Sequence, residues 1–394
     1  MKCIKCGTDN NLQDRTAAGG RCKSCGHPFV FDPQSSQPRI TDGFFAKLIA
    51  DLSAENTLFF TDRQLYYWLN QRLYWKFNPS LGAGESVGCL GFGAAFILLT
   101  MGALWWAVLL VVSSSFSAVL GRKHRLKHLR TQPKRVEVDV AKLEAMRLAW
   151  EQVNGPIEKR IDPAQITAAA QRPLNLTPGI DLGEITNYSF DRVLVCDRDE
   201  LAYLLIANNL HFEHNCAVVS IHHYPQGIFE TLMTMLRRNP QLQVFALHDA
   251  SPRGIQLLDY LRQPDWFPDP AIPIYDLGLL PRQVFQQKRP FFEQSPTQAQ
   301  QAKRLSPRIR QSLTPAEVLW LEAGNTMAID LFSPQRLLRV VAQGISRSRL
   351  GSLSSDTSPV GAGSGLDFIV YDFDGVGDSE ADRNSRILFA DNFG

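Results

Sequence analysis

Net charge is almost absent from this chain. Its 394 residues carry 41 basic and 39 acidic side chains, so bulk electrostatics does not announce a nucleic-acid binder. No repeat periodicity appears either, which excludes solenoids and propellers. No cleavable signal peptide is recognised, so the cysteines are expected in a reducing compartment and disulfides are not expected between them. The longest absence is local: from Ser86 to Gly121 no residue is charged. Charge is instead gathered in a basic block, Arg122 to Arg130 with Lys134 and Arg135, and in an acidic C-terminal stretch from Asp367 to Asp391.

What is present begins with four cysteines in two Cys-x-x-Cys pairs, Cys3/Cys6 and Cys22/Cys25, each followed by glycine and separated by 15 residues. This is the spacing of a four-thiolate zinc site, in which two tight knuckles close around one tetrahedral ion. The expected unit is a zinc ribbon over residues 1–33. A closed coordination shell leaves no open position for chemistry, so a structural or docking role is expected.

The uncharged run at 87–120, VGCLGFGAAFILLTMGALWWAVLLVVSSSFSAVL, reads as membrane-embedded because it is too long and apolar for a buried helix. As one helix its 34 residues would span about 51 Å, against a hydrocarbon core of about 30 Å. A hairpin turning near Gly102 is favoured over one tilted helix or a surface-lying segment, since it keeps the thiols and the basic block on the same, cytoplasmic side. The expected location is therefore the inner or cytoplasmic membrane, with both soluble parts facing the cytoplasm and membrane lipid as one partner.

Between these units, residues 41–80 read as a helical, winged-helix-like module, with Asp42 placed to cap one helix and Thr61 or Asp62 the next. A membrane-proximal stalk is the alternative. Residues 134–185 are a helical connector, with an amphipathic helix over Val136–Trp150 and then Pro156, Pro163, Pro173 and Pro178 breaking the pattern. From 190 to 290 short apolar strands (RVLVC, CAVVSI, QVFAL, IPIYDL) alternate with helical segments at crossover length. That pattern predicts an α/β fold, a doubly wound and mostly parallel sheet. Terminal helices are expected over 312–345, one opened by the Thr314–Glu317 capping box and the other ending at Gly344. Residues 346–394 read as a Ser/Gly-rich linker and an acidic tail.

Open parallel sheets bind ligands beyond the carboxyl ends of their strands. Those ends carry Cys196-Asp197, then His222-His223-Tyr224, then His248-Asp249-Ala250-Ser251, then Asp276. Asp197 and Asp249 could share a magnesium ion if their strands adjoin; otherwise they are ordinary capping or turn residues. The three histidines have no spaced ligand partners and read as loop or capping residues.

RVLVCDRDELAYLL, HYPQGIFETLMTMLRR, VFALHDASPRGIQLL and IYDLGLLPRQVF together resemble the Toprim domain of the topoisomerase VI A subunit and the related meiotic double-strand-break transesterase. The resemblance covers about residues 190–290. It implies a magnesium site built from a glutamate and two aspartates for phosphoryl transfer. Here Cys196 stands at the glutamate position and Ser251 at the second aspartate, with only Asp249 kept, so a weakened or inactive site is expected. TDRQLYYWL (61–69) is similar to the segment carrying that family's transesterase tyrosine, which implies Tyr67 as the nucleophile; a core aromatic is the plainer reading. IVYDFDGVGDSEAD (369–382) looks like the nucleophile loop of haloacid-dehalogenase-type phosphatases, but too little chain follows it for that fold.

The combined expectation is a membrane-anchored zinc-ribbon protein with a degenerate Toprim-like domain, a non-catalytic module binding nucleic acid, DNA foremost, or another ligand. One alternative is an active magnesium-dependent enzyme using Tyr67, Asp197 and Asp249. Another is a scaffold that binds only proteins, through the ribbon or the acidic tail.

Overall fold

The structure, a computed structural model, describes residues 1–34, 38–77, 133, 136–164, 166, 190–226, 229–239, 241–267, 272–287 and 290–351. At the N terminus each cysteine knuckle is closed by its glycine. The Gly7 and Gly26 amides donate to the Cys3 and Cys22 carbonyls at 2.9 Å, with φ of 72° and 68°, a region open to glycine at no steric cost. Helix α1 (Leu12–Ala17), opened by a capping box between Asn11 and Asp14, joins the two knuckles.

Helix α2 (Asp42–Leu52) is capped by Thr41 rather than by Asp42. The Asp42 carboxylate serves the ribbon instead, accepting the Val30 and Phe31 amides at 3.1 and 2.8 Å. Strand β1 (Phe60–Thr61) runs into helix α3 (Asp62–Phe77). Helix α4 (Val140–Asn154), capped by Asp139, leads to β2 (Arg160–Ile161), which pairs parallel with β1. The three helices bury a common core of Phe45, Leu48, Leu52, Leu65, Leu69, Leu143 and Trp150. Phe31 of the ribbon enters it, stacked on Trp150 at 6.1 Å.

The α/β region follows as β3 (Arg192–Cys196), α5 (Asp199–Ala207), α6 (Leu210–His214), β4 (Cys216–Ser220), α7 (Phe229–Arg237), β5 (Gln243–Leu247), α8 (Pro252–Ile255), α9 (Leu257–Leu261) and β6 (Ile274–Asp276). The strands lie in the order β4-β3-β5-β6, all parallel. Their continuous apolar sequences suit a sheet covered on both faces. Side chains alternate between two cores: Leu194, Cys196, Phe245 and Leu247 on one side, Val193, Val195, Val244 and Ala246 on the other.

The C-terminal part comprises α10 (Pro281–Gln286), β7 (Glu293–Gln294), α11 (Pro296–Lys303), α12 (Pro307–Ser312), α13 (Pro315–Glu322), β8 (Asn325–Thr326), a 3-10 turn at Ile329–Leu331 and α14 (Pro334–Gly351). Strands β7 and β8 pair antiparallel. Helix α14 does not stop at Gly344, where a terminus is expected. A Cβ there would lie 2.5 Å from the Leu277 side chain, so this glycine permits close packing of the helix on the sheet's edge and is not a stop signal.

The helical module is fastened to the α/β region. Asn208 exchanges side-chain hydrogen bonds with the Phe59 backbone at 2.9 and 3.0 Å. The Gln64 amide and Trp68 indole donate to the Phe332 and Leu331 carbonyls.

The expected membrane location, with soluble parts facing the cytoplasm, is corrected here. Among the described residues no helix is long and apolar enough to cross a membrane. The run 87–120, read as a transmembrane hairpin, lies outside the described residues, as do the basic block at 122–130 and the acidic tail.

Candidate functional site

Because β3 and β5 are neighbours, their carboxyl ends open into one crevice. The Asp197 amide donates to the Leu247 carbonyl, and the Asp249 amide to Asp197 Oδ2 at 3.2 Å. The two carboxylates therefore face the same space. Cys196 does not join them: it is the last residue of β3, fully buried in the core. Ser251 is also turned away from that role, capping α8 through the Gly254 amide at 3.0 Å.

The space between the aspartates is filled by Arg198. Its guanidinium reaches Asp330 at 2.8 Å, Asp249 at 3.1 Å and Asp197 at 3.3 Å. Asp330 belongs to the 3-10 turn after β8, where the Ile329 amide also donates to Asp249 Oδ1 at 2.8 Å. Arg63 of α3 approaches from the rim, 3.2 Å from Asp330 and 4.0 Å from Asp249. Burial alone would disfavour the Arg198 charge, but Asp249, Asp330 and Asp197 hold its pKa well above the ordinary value. Burial also resists ionisation of Asp330, yet Arg198 and Arg63 hold that carboxyl below its usual range. For Asp249 burial wins, helped by the charges of Asp197 and Asp330, and its pKa is raised. The cluster thus holds three acids around a guanidinium locked in its charged form.

A magnesium ion requires oxygen ligands at about 2.1 Å in octahedral array. The carboxylates that would supply them are already engaged by a fixed cation of fork geometry. The donor set does not fit magnesium while Arg198 lies among them.

Tyr67 stands beside this cluster, its ring under Arg63 at 5.8 Å. It is only 8% exposed, and its hydroxyl donates to Glu293 of β7 at 3.4 Å. Burial first, then the Glu293 charge, push its pKa far above that of a free phenol. A nucleophilic phenolate is disfavoured in this setting.

Among the histidines, His223 stacks on Phe229 at 4.5 Å. His222 touches Asp199 and Arg253. His248 is fully buried, its Nδ1 2.9 Å from the Asp249 carbonyl and its Nε2 3.1 Å from Asp276. The latter is a charge contact rather than a well-aligned hydrogen bond. Burial lowers the pKa of His248, but Asp276 and the Asp249 carbonyl overcome it and raise the value to about 9.

The second candidate site is the N-terminal four-cysteine group. The four Sγ atoms of Cys3, Cys6, Cys22 and Cys25 lie within 4.8 Å of one another, with Cys3–Cys25 at 3.7 Å and Cys6–Cys22 at 3.6 Å. A tetrahedron with metal–sulfur bonds of about 2.3 Å has edges of about 3.8 Å, so this group could hold a metal ion. The Cys25 and Ser24 amides lower the Cys22 thiol to about 6. Asn10 orients the pair of knuckles, donating to Cys22 Sγ and accepting the Lys23 amide.

Asp197, Asp249 and Tyr67, singled out from the sequence, are brought to one crevice. Arg198, Asp330, Arg63 and Glu293 were missed. Arg198 had a signal, since it directly follows a strand-ending aspartate; Asp330 and Glu293 sit in no motif. No family model, curated protein or solved structure matches the chain, so the likeness to Toprim domains rests on the quoted residues alone.

Proposed function

We propose that this chain is a zinc-ribbon protein whose Toprim-like α/β region binds nucleic acid without cleaving it. The observation that carries the reading is the Arg198 guanidinium bonded to Asp197, Asp249 and Asp330. An arginine in the cation's place supplies fixed charge but offers no exchangeable coordination position for a phosphoryl oxygen, which metal-assisted phosphoryl transfer requires. The buried Tyr67 hydroxyl, bonded to Glu293, supports the same conclusion. Zinc is the ion that four thiolates at this spacing select, and the winged-helix-like reading of α2 and α3 would add a second nucleic-acid contact.

Incubating the full chain with supercoiled plasmid and magnesium, and measuring duplex binding by fluorescence anisotropy in parallel, tests this. Salt-sensitive binding with no nicking is expected. Magnesium-dependent nicking that disappears in Asp249→Asn would establish the enzyme instead, and absence of binding would leave the protein-only scaffold.

A further inference from the structure

We infer that Arg253, held in place by His222, contacts a backbone phosphate of the bound nucleic acid, an assignment that rests on the reading just given. Arg253 lies in α8, which follows β5, and His222 in the turn after β4; these strands flank β3, and the two residues meet across its carboxyl end. Arg253 Nη2 lies 2.7 Å from His222 Nε2. The other ring nitrogen, Nδ1, faces Asp199 Oδ1 at 3.4 Å, and the same carboxylate oxygen accepts the Ser220 hydroxyl. Ser220 Oγ in turn accepts the His222 and Tyr224 amides. A guanidinium only donates, so Nε2 is the acceptor and the ring proton sits on Nδ1. His222 then bridges Asp199 and Arg253 and orients the guanidinium.

The consequence is a cation that is fixed yet not neutralised. Arg253 is exposed, and among the described residues no carboxylate forms an ion pair with it. Arg63, Arg198, Arg282 and Arg310 are all paired with acids. Immobilising a long exposed side chain costs rotamer entropy, and here no local salt bridge offsets that cost. A preoriented fork at the carboxyl edge of a parallel sheet, where ligands of such sheets bind, suits a phosphodiester oxygen. Such a contact fixes register and affinity but reads no sequence.

The test measures anisotropy of a labelled duplex with the full chain between about 50 and about 200 mM salt, where phosphate contacts dominate. In Arg253→Ala the log–log salt slope should shrink by about 0.9, the worth of one duplex phosphate, and affinity should fall severalfold whatever the sequence. Arg253→Lys should keep the slope while losing part of the affinity. His222→Ala should also keep the slope with a smaller loss, as a positioning residue would. If the natural chain binds and Arg253→Ala matches it in slope and affinity, this contact is wrong and the binding reading stands. If the natural chain does not bind, both fall. Displacement of the duplex by low inorganic phosphate at constant ionic strength would mean that free phosphate is the occupant, and would also overturn the assignment.

Discussion

Arg198 makes three ion-pair contacts through one planar group, and each of its partners has few alternatives. Asp330 is nearly inaccessible, and the Asp249 carboxylate accepts only from Arg198 and the Ile329 amide among its described hydrogen bonds. Arg198→Ala therefore leaves buried carboxylates facing one another. Removing one partner of a buried ion pair typically costs about 3–5 kcal/mol, and calorimetry should show a correspondingly lower Tm, with Arg198→Lys in between because one ammonium cannot replace a three-way fork. An unchanged Tm would show that the cluster is held by the backbone alone. His248 gives a second prediction at this scale. Its folded pKa of about 9 lies above the ordinary value of about 6.5. Its stabilisation is complete below about pH 6.5 and is lost as pH rises through about 9. The Tm difference between the natural chain and His248→Asn should narrow over that interval; parallel curves would refute the charge contact with Asp276.

At the scale of elements, two glycines explain why the strand-end turns have the sequences they do. A Cβ on Gly278, after β6, would sit 2.2 Å from the His248 ring, and one on Gly254, in α8, 2.3 Å from the Asp249 carbonyl. The His248 ring is fully buried and the Asp249 oxygen is backbone, so neither steps aside cheaply. Gly278→Ala is expected to destabilise by about 1–3 kcal/mol through overpacking, readable as a lower denaturant midpoint with an unchanged m-value. A midpoint equal to that of the natural chain would mean that the His248 ring shifts freely. Both glycines lie in segments quoted for the Toprim likeness, but neither was singled out; the parallel strands were legible, because their apolar runs and crossover spacing are local properties. Asp197 and Asp249 were legible for the same reason, as acids ending strands. What completes the site was not, because Asp330 follows β8, Glu293 lies in β7 and Arg63 lies in α3. Their meeting is set by tertiary packing at separations up to 267 residues, which no local pattern encodes. The same limit applies to Gly344, read as a helix stop by its type when its neighbour is Leu277, just past β6 and distant in sequence.

At the scale of the whole molecule, an ion held by the four cysteines would act on the N-terminal segment first. The ribbon itself has few buried apolar residues, and its attachment runs through the Asp42 carboxylate and the Phe31 ring. If it holds an ion, a segment of that size would depend on the ion for folding. The sheet has two cores of its own, with Tyr67 of α3 reaching one of them. We therefore expect a single zinc ion per chain in elemental analysis, reduced in Cys22→Ser. On chelation the Phe31–Trp150 stack should open, changing the part of the fluorescence that Trp150→Phe removes. The α/β region should keep its cooperative melting, because the contacts joining it to α3, from Gln64, Trp68 and Arg63, do not pass through the ribbon. Chelation that abolished the main transition would instead make the ribbon part of one folding unit with the sheet, and the ion a determinant of the strand-end crevice.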